Sequence, residues 1–185
     1  MAIINGTTSL GVNQNDTLNG TTDDDVITAD PSLVGVGVDV VNANDGDDII
    51  YGGAGADTLN GDDGDDTIYG EVGDDVLTGG NGRDTYVISS VAGLLGGDDI
   101  INNNSNDGLI VDRIILSGLL PGDINNTSRS NDDLLISYGL LGDSIRLLNF
   151  YTSEDYRHIE FEFSNGSTID VADLAVGNVT TGDGG

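Results

Sequence analysis

Residues 34–87 divide without a gap into six nonapeptides: VGVGVDVVN, ANDGDDIIY, GGAGADTLN, GDDGDDTIY, GEVGDDVLT and GGNGRDTYV. The fourth position is always glycine (Gly37, Gly46, Gly55, Gly64, Gly73, Gly82) and the sixth always aspartate (Asp39, Asp48, Asp57, Asp66, Asp75, Asp84). Glycine and aspartate each number 29 of 185 residues, so twelve matches in register are not accidental. Internal repetition of this length points to a stack of small units, none able to bury a core alone. Two earlier units, 11–19 and 20–28, keep Asp16 and Asp25 but have Gln14 and Asp23 where glycine is expected. A late unit at 94–102 contains Gly97 and Asp99. Slips at 29–33 and 88–93 interrupt the register.

The back of each unit is as regular as the front. Position seven is β-branched in all eight main units (Thr17, Val26, Val40, Ile49, Thr58, Thr67, Val76, Thr85). Position eight is apolar in all eight (Leu18, Ile27, Val41, Ile50, Leu59, Ile68, Leu77, Tyr86). Such residues suit a strand, and strand side chains alternate faces. The pattern predicts a strand of about three residues, with position eight inward and positions seven and nine outward. Stacked units would then share one continuous apolar row.

The glycine-rich front turns the chain between strands, because glycine permits positive φ without steric cost. Each turn sets backbone carbonyls beside one carboxylate. An oxygen-only, anionic and flexible donor set suits Ca²⁺, which takes six to eight oxygens at about 2.3–2.6 Å. Zn²⁺ calls for Cys or His; there is no Cys, and the single His, His158, lies outside the repeats. The acid is almost all Asp, 29 against 4 Glu, a choice a solvated acidic tail would have no reason to make. A net charge of −28, with five Arg and no Lys, argues against nucleic acid and anionic membranes. A phosphate-cradling loop is excluded by the missing Lys, and an EF-hand by the wrong spacing to a terminal Glu. No apolar run reaches the length of a membrane span, and Met1 to Leu10 do not read as a cleavable secretory signal.

These units resemble the RTX, or haemolysin-type, calcium-binding nonapeptide, Gly-Gly-x-Gly-x-Asp-x-U-x with U a large apolar residue. GGAGADTLN and GGNGRDTYV match it at every position. The resemblance implies an all-β fold, a parallel β-roll in which two units make one coil and the turn of unit n faces that of unit n+2. It implies several Ca²⁺ ions, at least four, between Asp39 and Asp57, Asp48 and Asp66, Asp57 and Asp75, and Asp66 and Asp84. Further pairs are Asp16 with Asp39, Asp25 with Asp48, and Asp75 with Asp99. The expected metal site also draws on the turn glycines Gly37, Gly46, Gly53, Gly55, Gly64, Gly73, Gly80 and Gly82.

The second half departs from the nonapeptide. DRIILSGL (112–119), NDDLLISY (131–138), DSIRLLNFY (143–151) and IEFEFSNGSTIDVADL (159–174) resemble the region that often follows such repeats in bacterial exoproteins. They read as strands, with Ile159, Phe161 and Phe163 alternating with Glu160 and Glu162, and Asn165-Gly166 as a hairpin turn. Val171 to Val176 read as a short helical turn. The expected division is a calcium-binding roll at 11–102, a β-rich cap at 103–176, and a linker or the start of a further repeat at 177–185. The closing TTGDGG suggests one module of a longer chain, monomeric and flanked by neighbouring modules, with Met1-Ala2 an added start.

Without metal, carboxylates about 5 Å apart repel by roughly 0.8 kcal/mol even in a water-like dielectric. A series of such contacts competes with a total stability of about 5–15 kcal/mol. The repeat half is therefore expected to fold only with Ca²⁺. The resemblance implies type I secretion as an unfolded chain and folding in the calcium-rich exterior. Alternative readings are a carbohydrate-binding or adhesion module, with Tyr51 and Tyr69 on one outer face toward an extracellular polysaccharide, or an accessory module of a secreted enzyme or toxin. No catalytic constellation stands out: His158 with Ser153 and Asp155 reads as surface, and Asp132-Asp133 and Glu154-Asp155 as turn residues.

Overall fold

The computed structural model describes residues 1–5, 15–29, 37–89, 96–103, 111–139, 142–152 and 159–170. Strands alternate between two sheets. One sheet holds β1 (Ile3–Asn5), β3 (Val26–Thr28), β5 (Ile49–Ala54), β7 (Thr67–Val72), β9 (Thr85–Ser89), β11 (Asp112–Ser117), β15 (Ile159–Phe163) and β16 (Thr168–Asp170), bonded in that order. The other runs β12 (Ile124–Ser130), β13 (Asp133–Tyr138), β14 (Asp143–Leu147), β10 (Asp98–Asn102), β8 (Val76–Asn81), β6 (Thr58–Asp63), β4 (Val40–Asp45) and β2 (Thr17–Asn19). Successive nonapeptides thus feed opposite sheets, two make one coil, and neighbours within a sheet are parallel. This is the expected parallel β-roll. Equivalent positions stack in register, as Ile50 on Ile68 and Leu59 on Leu77.

The apolar row is continuous. Val41, Ile50, Leu59, Ile68, Leu77 and Tyr86, all at position eight, are each 0% exposed. Burying such a side chain contributes about 1.5–3 kcal/mol, so one per nonapeptide is a thin core. The strands are longer than position seven to nine. β4 to β8 each have six residues, running on through positions one to three of the next unit. The sheet ladder carries these residues despite their weak strand propensity. Alternation then turns position one inward, and Ala43, Gly52, Gly61, Gly70 and Gly79 are buried.

Position four must be glycine for two reasons. Gly55 has φ +149°, a conformation L side chains rarely adopt. A Cβ there would also run into the carbonyl oxygen of Gly37 in the preceding coil, and the same collision recurs at Gly64 on Gly46 and Gly73 on Gly55. The turns are stacked backbone on backbone.

The second half extends the roll before it closes it. β11 lies parallel on β9, β15 parallel on β11, and β14 parallel on β10. Antiparallel pairs then finish both sheets, β12–β13–β14 on one and β15–β16 on the other. The β15–β16 turn is the Asn165-Gly166 hairpin, with Gly166 at φ +78°. The core here is richer: Leu134, Ile136, Tyr138, Ile145, Leu147, Phe150, Ile159, Phe161 and Phe163 are all buried. The helical turn expected at Val171 to Val176 and the glycines at 182–185 lie outside the described residues. Among the described residues, no helix is long and apolar enough to cross a membrane.

Candidate metal centre

The repeat aspartates form two ladders, one along each edge of the roll. In the first, the backbone amide of Asp16 donates to Asp39 Oδ1 at 2.7 Å, that of Asp39 to Asp57 at 2.8 Å, that of Asp57 to Asp75 at 2.9 Å and that of Asp75 to Asp99 at 3.1 Å. In the second, Asp25 donates to Asp48 Oδ1 at 2.6 Å, Asp48 to Asp66 at 2.8 Å and Asp66 to Asp84 at 3.1 Å. Every pair expected from the sequence is brought together. The second ladder has one more rung, from the Asp84 amide to Asp112 Oδ1 at 2.7 Å. All these aspartates except Asp16 are buried.

One oxygen of each carboxylate thus holds the preceding coil. The other is the unusual one. Oδ2 of Asp48, Asp66, Asp75 and Asp84 is buried and accepts no hydrogen bond. In Asp66, Asp75 and Asp84 it lies against the position-one glycine of its own unit: a Cβ on Gly61, Gly70 or Gly79 would fall onto it. The Cβ point of Gly61 is also 2.6 Å from the carbonyl oxygen of Gly79, one coil on. The missing side chain at position one therefore lets a carboxylate oxygen and, at Gly61, a carbonyl oxygen crowd into the place that a Cβ would take.

An unpartnered buried carboxylate oxygen is costly, and the acidities reflect it. Burial, with neighbouring carboxylates adding to it, raises Asp48 to about 6, Asp66 to about 7, Asp84 to about 8, Asp75 to about 9 and Asp99 to about 7. Backbone donation to Oδ1 lowers each value but does not win. Asp25, in the degenerate second unit, is the exception. Burial opposes its charge too, but the amides of Ala2 and Thr21 and the Thr21 hydroxyl outweigh that and lower its pKa.

The donors fit a hard divalent cation. Among the described residues, no three acidic or histidine side chains gather in one place. What gathers is one carboxylate oxygen per turn with backbone carbonyls, the oxygen-only set that Ca²⁺ accepts. The position-four amides are already spent, Gly46 on the Asp63 carbonyl, Gly55 on Val72 and Gly64 on Asn81, each at 2.8 Å. Position two turns the backbone through positive φ, at Gly53 and Gly80 but equally at Asn44, Asp62 and Glu71.

Period reading did not pick out the position-one residues Gly61, Gly70 and Gly79 as walls of the site, nor Asp112. The sequence does carry a signal for both. Position one is Gly or Ala in five of the last six units, and Asp112-Arg113-Ile114 repeats the Asp-x-apolar end of the motif without its glycine. Elsewhere, Tyr51 and Tyr69 stack on each other on the outer face, centroids 4.6 Å apart and planes 17° apart. Asp132 pairs with Arg129, and Asp133 with Arg146. Ser153, Glu154, Asp155 and His158 lie outside the described residues.

Comparison with known proteins identifies the repeats. Residues 10–31, 34–67 and 51–86 match the RTX calcium-binding nonapeptide repeat family. Residues 133–173 match the haemolysin-type calcium binding protein related domain. No curated protein matches the chain. Among solved structures, the solution structure of the AlgE6R3 subunit from the Azotobacter vinelandii mannuronan C5-epimerase is similar. It shares 25% identity over 83% of this chain and 82% of that one, with a TM-score of 0.44. The chain therefore carries RTX calcium-binding nonapeptide repeats followed by a haemolysin-type calcium binding protein related domain, and it is a calcium-binding structural module.

Proposed function

We propose that the two turn ladders are calcium columns and that the repeat half folds only when they are filled. The observation that carries this is the set of buried, unpartnered Oδ2 atoms on Asp48, Asp66, Asp75 and Asp84. Asp39, Asp48, Asp57, Asp66, Asp75 and Asp84 would hold the ions, with carbonyls from the surrounding turn glycines, giving at least four sites between the rungs 39–57, 48–66, 57–75 and 66–84. Asp16, Asp25 and Asp99 extend the columns at their ends. Bound Ca²⁺ supplies positive charge to the unpartnered Oδ2 atoms of Asp48, Asp66, Asp75 and Asp84. Each ion adds about 2.7 kcal/mol at a hundredfold excess over its dissociation constant, comparable to burying one more Leu or Ile. Binding and folding are then one event.

The same coupling supports a biological reading. A chain of net charge −28 that stays unfolded at low calcium suits export as an extended polypeptide through type I secretion, with folding outside the cell. In this reading, residues 11–102 are the calcium-responsive roll and the region from 103 to 176 closes it. Far-ultraviolet circular dichroism tests the coupling. A large β signal is expected in Ca²⁺ and its loss on chelation, with Mg²⁺ a poor substitute; a spectrum indifferent to chelation contradicts it. The stacked Tyr51–Tyr69 pair favours a second reading, an extracellular polysaccharide on that face. Glycan binding by the calcium-loaded chain that disappears in Tyr51→Ala would support it, and no binding would dismiss it.

A further inference from the structure

We propose that Asp84, Asn103 and Asp112 form a terminal divalent-cation site, one coil beyond the last nonapeptide, that ties the second half to the roll. The inference rests on the calcium reading above but concerns residues outside the repeat. Register places them. Val76, Leu77 and Thr78 stack on Ile100, Ile101 and Asn102, so Asn103 follows where Gly79 and Gly61 stand in the preceding coils. Position one is otherwise glycine or alanine there, and Asn103 brings an amide where those residues carry no polar side chain.

That amide is 4% exposed, and its Nδ2 is buried without a partner. Its Oδ1 accepts from Tyr86 Oη at 3.3 Å, and Tyr86 Oη in turn accepts from the Gly79 amide at 2.9 Å. Rotating the amide by half a turn lets Nδ2 donate to the Tyr86 hydroxyl and puts the carbonyl oxygen where the unpartnered Nδ2 stood. Asp84 Oδ2, also unpartnered, lies where a Cβ on the same Gly79 would stand. Asp112, 2% exposed, closes the rung by accepting the Asp84 amide. Two carboxylates and an amide are thus linked at the end of the column through Tyr86, Gly79 and the Asp84 amide. Arg113, the adjacent cation, is turned outward to Glu160 and Glu162. An all-oxygen set of this charge takes a hard divalent ion, Ca²⁺ before Mg²⁺. Asp112 opens β11, which carries β15, so an ion here would fasten both strands to the last repeat.

Calcium titration of the whole chain with ion counting tests this. Relative to wild type, Asp112→Asn and Asn103→Leu should each weaken one ion at least tenfold and leave the others. Amide exchange at Ile114 and Phe161 should quicken in both variants when Ca²⁺ is present, and no more than in wild type when it is chelated. A purely structural role for Asp112 would alter exchange under both conditions, and would overturn the inference. So would an unchanged ion count and affinity. Should Asp112→Asn fail to fold in Ca²⁺, Asn103→Leu decides on the same readouts. A wild-type chain that binds no Ca²⁺ would instead remove the calcium reading itself.

Discussion

Asp66 and Asp133 are both buried aspartates at the start of a strand, and their charges are met in opposite ways. Asp133 receives Arg146 and the Asn149 amide at 2.8 Å. Burial opposes its charge, but these partners outweigh it and hold the carboxyl below the usual range. Asp66 accepts one backbone amide, that of Asp48, and has no cation beside it among the described residues, and burial pushes it up to about 7. The contrast extends to the two halves. The second carries four of the five arginines and a broad apolar core; the repeats carry only Arg83 and a single apolar row. Asp133 is neutralised by the chain itself, whereas in the proposed reading the repeat aspartates rely on a bound ion.

The largest expected effect is of pH on the calcium-free chain, because it acts on several carboxylates together. Unfolded aspartate titrates near 3.9, while folded Asp48, Asp66, Asp84 and Asp75 titrate at about 6, 7, 8 and 9. Between those limits the folded chain binds more protons than the unfolded one, so its stability falls as pH rises. Acidifying the calcium-free chain from pH 9 towards pH 4 should therefore restore β signal. A loss of signal over that range would place the balance elsewhere.

Glycine substitution sharpens the contrast next. Gly55→Ala forces a Cβ onto the Gly37 backbone at positive φ and should cost about 3 kcal/mol or more in thermal unfolding with Ca²⁺. Gly166→Ala, also at positive φ but with open space around it, should cost only about 1 kcal/mol. Equal costs would mean that the turns are not stacked as closely as described.

Asp66→Asn should change sign with metal. In chelator it removes an uncompensated buried charge and stabilises; in Ca²⁺ it weakens the two ions of the 48–66 and 66–84 rungs and costs about 2–3 kcal/mol or more. Chemical denaturation under both conditions measures the pair. Arg146→Ala should cost about 1–2 kcal/mol in either condition, with the half-exposed guanidinium keeping the figure modest. A calcium-dependent cost there would blur the distinction between the halves.

The residues explain why some of this was legible in the sequence. Gly55, Asp57 and Leu59 recur at fixed spacing because each coil repeats the same close approach, rung and core contact, so turn, ladder and apolar row all showed in the period. The coil pairing of n with n+2 came from the family resemblance. The strand extension through Gly61-Asp62-Asp63 did not show, because the neighbouring coil holds these residues in the sheet against their own propensity. Asp112 was hidden by the loss of the motif glycine, and Asn103 by standing where the repeat has none. In the second half, Asp112–Ser117 and Ile159–Phe163 read correctly as strands, but alternation alone cannot say that they lie parallel.

Residue-resolved hydrogen exchange, in Ca²⁺ and after chelation, tests the central claim most directly. Amides of Val41, Ile50, Leu59, Ile68 and Leu77 should be strongly protected in Ca²⁺ and lose that protection when it is removed, while Ile136 and Ile145 retain more. Equal protection of the repeat amides in both conditions would contradict it.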